Sequence, residues 1–154
     1  IGYKDKHYFV NYQKFMYICG MKENYTSKNR HKYYLKCHLI FCVKYRRKIL
    51  DGKFNDNIKS VFQSIADNSD FDIDIMETDK DHIHFLISYP SKLSVTSIVR
   101  KLKQESNIFA WHLYGNMLRQ YFWKEKTLWS DGYFVCSIGE ANPNTIREYI
   151  RQQG

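Results

Sequence analysis

His82-Ile83-His84 sets two imidazoles at positions i and i+2. On a β-strand such residues point to one face, about 6.5–7 Å apart along the backbone, where they can converge on one metal ion. Ile83, Phe85 and Ile87 take the alternate positions, so a core can be built from them without the histidines. An H-x-H pair alone is equally explained by surface or satisfied core histidines. No Asp or His follows to complete the H-x-H-x-D-H of binuclear zinc hydrolases, and neither histidine opens the H-x-T pair of two-histidine phosphoesterases, so both classes fall. Near the end of the chain, Tyr149 and Gln153 are four residues apart and would stack on one helix face, a candidate nucleophile above a neutral oxygen ligand. A phenol, with a pKa of about 10, is a poor nucleophile at neutral pH and needs a metal to polarise the phosphate it attacks. In a chain with 13 Tyr, Tyr149 could equally be an ordinary packed residue.

The charge pattern suggests what such a site would act on. The sequence has 154 residues with 24 Lys+Arg against 16 Asp+Glu, a net charge of +8. Between positions 22 and 48, Lys22, Lys28, Arg30, Lys32, Lys36, Lys44, Arg46, Arg47 and Lys48 face the single acid Glu23. Between 67 and 81 the sign reverses, with seven Asp/Glu and Lys80 alone. A basic stretch interleaved with Tyr33, Tyr34 and Tyr45 suits phosphates and stacked bases, as in the binding of single-stranded nucleic acid. A merely solvated basic face would look the same from charge alone.

These residues need elements to position them. With 44% hydrophobic and 17% aromatic residues, only 7 Gly and 2 Pro, the chain is neither disordered nor low-complexity, and its length fits one domain with its own core. Alternation predicts a strand from Tyr34 to Val43, with Leu35, Cys37, Leu39, Phe41 and Val43 on one face and Lys36 and His38 on the other. After a polar Asp51-Gly52 turn, Ile58, Val61, Phe62, Ile65 and Ala66 predict a helix of about three turns. Phe71, Ile73 and Ile75 alternate with Asp72, Asp74 and Met76, and a second alternation from His82 to Ser88 completes a hairpin. Ser94 is a plausible N-cap for a long helix carrying Val95, Ile98, Val99, Leu102, Phe109 and Leu113 on one face. Residues 115–131 show no clear period. Tyr133 to Ile138 reads as a last strand, and Asn142-Pro143 opens a terminal helix with Ile146, Tyr149, Ile150 and Gln153 on one face. The order is that of an α+β, ferredoxin-like split βαβ antiparallel sheet with an added C-terminal helix carrying the tyrosine.

Residues 1–20 carry no clear period and are expected to be an N-terminal extension upstream of a natural start at Met21, leaving 21–154 as a single domain. The N-terminal stretch lacks the apolar segment of a signal peptide and no run approaches the ~18–20 apolar residues of a membrane span, so a cytoplasmic protein without a membrane partner is expected. Cys19, Cys37, Cys42 and Cys136 lack zinc-type spacing and read as reduced thiols.

Four blocks together resemble the single-tyrosine HUH transposases of the TnpA type, which move small bacterial insertion sequences as single-stranded DNA, and their relatives, the REP-associated tyrosine transposases. The blocks are His38 to Lys48, Thr78 to His84, Leu128 to Phe134 and Tyr149 to Gln153, within a match over roughly residues 28–154. His82-Ile83-His84 matches the family's His-hydrophobic-His motif, Tyr149 its nucleophile, and Gln153 the helix residue completing the metal site. Members usually carry a tail beyond the tyrosine helix, where this sequence stops at Gly154. The resemblance implies cleavage and rejoining of single-stranded DNA at hairpin-marked element ends through a 5′-phosphotyrosine link, with Mg²⁺ or Mn²⁺ held by His82, His84 and Gln153. It implies a homodimer with composite active sites in trans, in a bacterial or archaeal cytoplasm with action at the nucleoid. Lys44, Tyr45, Arg46, Arg47 and Lys48 are the expected DNA contacts. Two other classes remain open: a non-catalytic single-strand or hairpin-binding module, and a metal-dependent nuclease that uses water and leaves no protein–DNA adduct.

Overall fold

The computed structural model describes residues 35–138, the backbone of 26–28 and 31–33, and residues 148 and 150–152. A short hairpin, β1 (Thr26–Lys28) and β2 (His31–Tyr33), comes first. It is followed by β3 (Lys36–Cys42), α1 (Gly52–Asp67), β4 (Asp72–Asp79), β5 (His82–Ser88), α2 (Val95–Leu118) and β6 (Phe134–Ile138). The last four strands form one antiparallel sheet in the order β4-β5-β3-β6. Each helix thus crosses between strands separated by one neighbour, which is the split βαβ arrangement expected from the sequence. The β1–β2 hairpin was not anticipated.

Pleating sorts the sheet residues onto two faces. Cys37, Leu39 and Phe41 of β3 and Ile83, Phe85 and Ile87 of β5 enter one core cluster with Phe54, Ile58 and Phe62 of α1 and Ile98 and Leu102 of α2. Phe41 sits at its centre, with ring centroids 5.1 Å from Phe85, 5.8 Å from Phe62 and 4.8 Å from Trp129. The opposite face is buried as well: His38, Ile40, His84, Leu86, Cys136 and Ile138 are all inaccessible to solvent or nearly so. Burial pushes the Cys37 thiol up to about 12, which makes it an inert reduced thiol; Cys19 lies outside the described residues.

Three expectations need correction. In β4 the alternation does not run straight through, because register shifts between Ile73, opposite Ile87, and Ile75, opposite Leu86. The bulge makes Asp74 the extra residue and swaps the parity beyond it, so that Met76, opposite Phe85, joins the core face and Ile75 the other. The Asp74 carboxylate accepts from Lys36 Nζ and Ser88 Oγ, each at 2.6 Å, tying the edge strand β4 to β5 and, across it, to β3. The first helix begins six residues earlier than Ile58, at Gly52, because Asp51 is its N-cap: the carboxylate accepts from the Gly52 N–H at 2.8 Å. Gly52 has φ +51, a left-handed conformation that glycine adopts without penalty. In α2, Ser94 is the N-cap, accepting from the Ser97 N–H at 3.1 Å, but Leu113 is 57% exposed. The buried stripe runs instead through Ile98, Leu102, Ser106 and Ala110, whose last two small side chains leave room for Trp129, which donates from Nε1 to Ser106 Oγ at 2.8 Å.

Residues 119–133 are a pinned loop. Val43 and Trp129 form an isolated bridge, and the Asn107 side chain caps the loop backbone at Lys126 and Leu128. Lys103 Nζ donates to the carbonyls of Ser130, Asp131 and Gly132 at 2.6, 3.2 and 2.8 Å. Of the expected terminal helix, one turn is described: the Gln152 N–H donates to the Glu148 carbonyl at 3.0 Å, and Ile150 is fully buried. Tyr149, Gln153 and the Asn142-Pro143 start lie outside the described residues.

Candidate active site

Strand β5 carries both histidines on the face away from the helices, with ring centroids 4.9 Å apart. His84 is 5% exposed and pairs across the sheet with Ile40 and Glu77, whereas His82, nearer the end of the strand, is half-buried opposite Cys42 and Asp79. The sequence left open whether the histidines fill core. His84 does lie in a buried layer, but its ring is not simply packed. Its Nδ1 is 3.0 Å from Nε2 of His38, a residue of β3 assigned no role from the sequence, and the two rings lie nearly parallel with centroids 5.2 Å apart. Its Nε2 is buried and has no hydrogen-bond partner among the described residues. Burial lowers the pKa of His38 to about 3, and burial together with neighbouring His38 and His82 lowers that of His84 to about 2. Both rings are therefore neutral at pH 7, the form in which imidazole binds metals.

His82 is oriented by charge. Its Nδ1 lies 2.7 Å from Asp81 Oδ1, and the other oxygen of Asp81 accepts from Arg46 Nε at 3.0 Å. A carboxylate at Nδ1 fixes the ring so that Nε2 is the atom with which it would coordinate a metal beside His84. A second donor group overlaps this one: ligand atoms of Asp79, Asp81 and His82 lie within 4.8 Å of one another. That arrangement would draw on the His82 and Asp81 atoms already joined to each other, whereas His84 Nε2 is a buried nitrogen aimed at nothing described. The histidine pair is therefore the better-fitting metal position.

The basic turn after β3 leans on this site. The Val43 N–H donates to the Asp81 carbonyl at 2.9 Å and the Leu50 N–H to the Lys80 carbonyl at 2.9 Å, so the turn packs against the β4–β5 connection. Tyr45 and Arg46 take left-handed conformations, with φ 59 and 53, unusual for residues with a Cβ. The result turns Tyr45 out into solvent, 61% exposed, while Arg46 folds back onto Asp81 and the Cys42 thiol. Of the expected DNA contacts, then, Tyr45, Arg47 and Lys48 are exposed, Lys44 is ion-paired with Glu125, and Arg46 belongs to the histidine site. Through Glu125, and through the Lys44 N–H donating to the Leu128 carbonyl at 2.8 Å, the turn joins the 119–133 loop. There Trp123 is 77% exposed with Lys124 Nζ 4.6 Å from its ring centre, a stacking platform that lay within the aperiodic stretch of sequence.

Comparison with known proteins places this geometry. Residues 31–153 match the family model described as "Transposase IS200 like". The chain is 31% identical over 121 residues to the ISDra2 transposase TnpA of Deinococcus radiodurans, covering 79% of this chain and 85% of that protein. It is 30% identical over 118 residues to the transposase for insertion sequence element IS200 of Salmonella typhimurium, covering 77% of this chain and 76% of that one. Among solved structures, a crystallised transposase homologue from Deinococcus radiodurans superposes with a TM-score of 0.68 at 26% identity, over 83% of this chain and 97% of that chain. A REP-associated tyrosine transposase bound to a REP hairpin superposes with a TM-score of 0.54 over 81% of this chain and 68% of its own, and at 17% identity it shares the fold alone. Among the described residues no helix is long and apolar enough to cross a membrane. On its matched length, its sequence identity to two transposases and its sheet topology, the chain belongs to the IS200-like transposase family.

Proposed function

We propose that this transposase cleaves and rejoins single-stranded DNA at the ends of an insertion sequence, with Tyr149 as nucleophile and a divalent cation, Mg²⁺ or Mn²⁺, held by His82, His84 and Gln153. The observation that carries the reading is the buried, neutral His84 with an unpartnered Nε2 beside a His82 already oriented by Asp81. When bound, the ion polarises the scissile phosphate and takes up charge that develops on it. Imidazole nitrogens alone would favour zinc, and the phosphate and Gln153 oxygens are what suit the harder ions.

The chain's own residues do the rest. Tyr149 Oη gives up its proton and forms a bond to phosphorus as the P–O3′ bond breaks in line, giving a 5′-phosphotyrosine and a leaving 3′ oxygen that takes up a proton to become the 3′-OH. Attack by another 3′-OH reverses the exchange and joins new partners, so the phosphoester energy is conserved without a nucleotide cofactor. The exposed Tyr45, Arg47, Lys48 and Trp123 would hold a strand leading to the histidines by phosphate contacts and base stacking. The hairpin carried by the REP-associated structure supports hairpin-marked ends as ligand. We place the protein in the cytoplasm, acting at the nucleoid, and residues 1–20 outside the catalytic domain.

We further propose a homodimer in which the histidines of one subunit work with the tyrosine of the other. Mixing a His82→Ala/His84→Ala protein with a Tyr149→Phe protein, with subunit exchange confirmed, should restore metal-dependent cleavage that neither shows alone. Absence of rescue contradicts the trans arrangement, and cleavage by the unmodified protein that survives EDTA contradicts the metal.

A further inference from the structure

We propose that His38 is a positioning residue for His84: it accepts the Nδ1 proton of His84 and so fixes the tautomer in which His84 presents a bare Nε2 lone pair to the metal. The inference rests on the metal reading above and goes beyond it, since His38 has no place in the His-hydrophobic-His motif. The two residues are diagonal neighbours on the β3–β5 pair, His38 opposite Leu86 and His84 opposite Ile40, a separation that long side chains bridge. Their ring nitrogens are 3.0 Å apart, and the ring planes are within 13° of parallel. An N···N contact of this length holds one proton, so one ring donates and the other accepts.

Only two arrangements exist. If His38 Nε2–H donated, the His84 proton would sit on Nε2, a buried donor with no acceptor among the described residues, and that nitrogen could not bind a metal. If His84 Nδ1–H donates, Nε2 is left as a lone pair and the His38 proton sits on its own Nδ1, a buried nitrogen for which no hydrogen-bond acceptor is described. Burial thus weighs alike on both arrangements, and the metal reading decides between them: only the second leaves His84 Nε2 as the bare nitrogen that a ligand site requires, with His38 Nε2 as the acceptor within reach of Nδ1–H. This is the role that a carboxylate or carbonyl usually fills behind a metal-bound histidine, and the one Asp81 fills for His82. A neutral imidazole at this position adds no charge to a buried layer, where a second carboxylate would lack a cationic partner of the kind Arg46 gives Asp81.

The test uses the whole metal-free protein with ¹⁵N-labelled histidine. Long-range ¹⁵N–¹H spectra should show His84 protonated on Nδ1 in the unsubstituted protein and in His38→Gln, whose side-chain oxygen can replace the acceptor. His38→Leu, an apolar side chain that preserves the buried layer, should lose that preference. Mn²⁺ titration followed by electron paramagnetic resonance should then give about 10- to 100-fold weaker binding in His38→Leu and recovery in His38→Gln. A native His84 protonated on Nε2, or Mn²⁺ affinity unchanged in His38→Leu, overturns the proposal. Failure of the metal reading looks different: the tautomers follow this pattern, which upholds the role of His38, while even the unsubstituted protein binds no Mn²⁺.

Discussion

Arg46 shows how a residue's neighbours can overrule its charge. Within the run Lys44 to Lys48 it looks like one more phosphate contact, yet its left-handed backbone turns it inward onto Asp81, and Asp81 holds His82. Replacing the exposed Arg47 and Lys48 with Ala should therefore lower the slope of log affinity against log salt by about 0.7 for each lost single-strand contact, with cleavage by fully bound protein retained. Arg46→Ala should do the reverse, changing the salt slope little while depressing cleavage at saturating DNA. If Arg46→Ala and the Arg47/Lys48 double variant give the same pattern in a fluorescence-anisotropy salt titration, the division between binding surface and histidine site is wrong. His38 was invisible at this scale for a simple reason. Its partner is 46 positions away, and only strand register brings the two rings together.

At the scale of elements, the sequence carried the strands and helices because their core faces are periodic, and it failed where periodicity breaks. The β4 bulge at Asp74 shifts side-chain parity with no signal in hydrophobicity, since Ile75 and Met76 are both apolar. Leu113 looked like core because its spacing is helical, but packing of Trp129 moved the buried stripe to Ser106 and Ala110. The 119–133 loop is ordered by contacts from elsewhere, Lys103 and Asn107 above all, so its own composition could not disclose it. Central and peripheral contributions should separate clearly in chemical denaturation. Phe41→Ala, at the junction of both helices and the sheet, should cost about 3–5 kcal/mol. Ser94→Ala, which removes one N-cap acceptor from α2, should cost about 1 kcal/mol. Equal losses would mean that Phe41 is not the packing centre described above.

For the whole molecule, the buried histidine pair couples folding to pH. Unfolded, each ring titrates near 6.5, whereas folded His38 and His84 resist protonation down to about 3 and about 2. Below pH 6.5 the unfolded chain takes up protons that the folded chain refuses. Stability from this source is thus complete above that pH and declines as pH falls toward 3, by up to about 1.4 kcal/mol per pH unit for each histidine. Urea melts at pH 7.5 and 5 should show the decline, and a His38→Leu/His84→Leu protein should show a shallower one; identical slopes would mean that the rings are not held neutral.

The family and the fold stand on matched sequence and topology, and the central claim beyond them is a covalent step through Tyr149. It is tested most directly by incubating the protein with a ³²P-labelled single-stranded hairpin oligonucleotide and Mg²⁺ or Mn²⁺, then resolving the products on a denaturing gel. The account predicts a labelled protein–DNA adduct that requires the metal, is absent with Tyr149→Phe, and disappears when an excess of 3′-OH strand is added. Cleaved DNA without an adduct, or an adduct that persists in Tyr149→Phe, would contradict it.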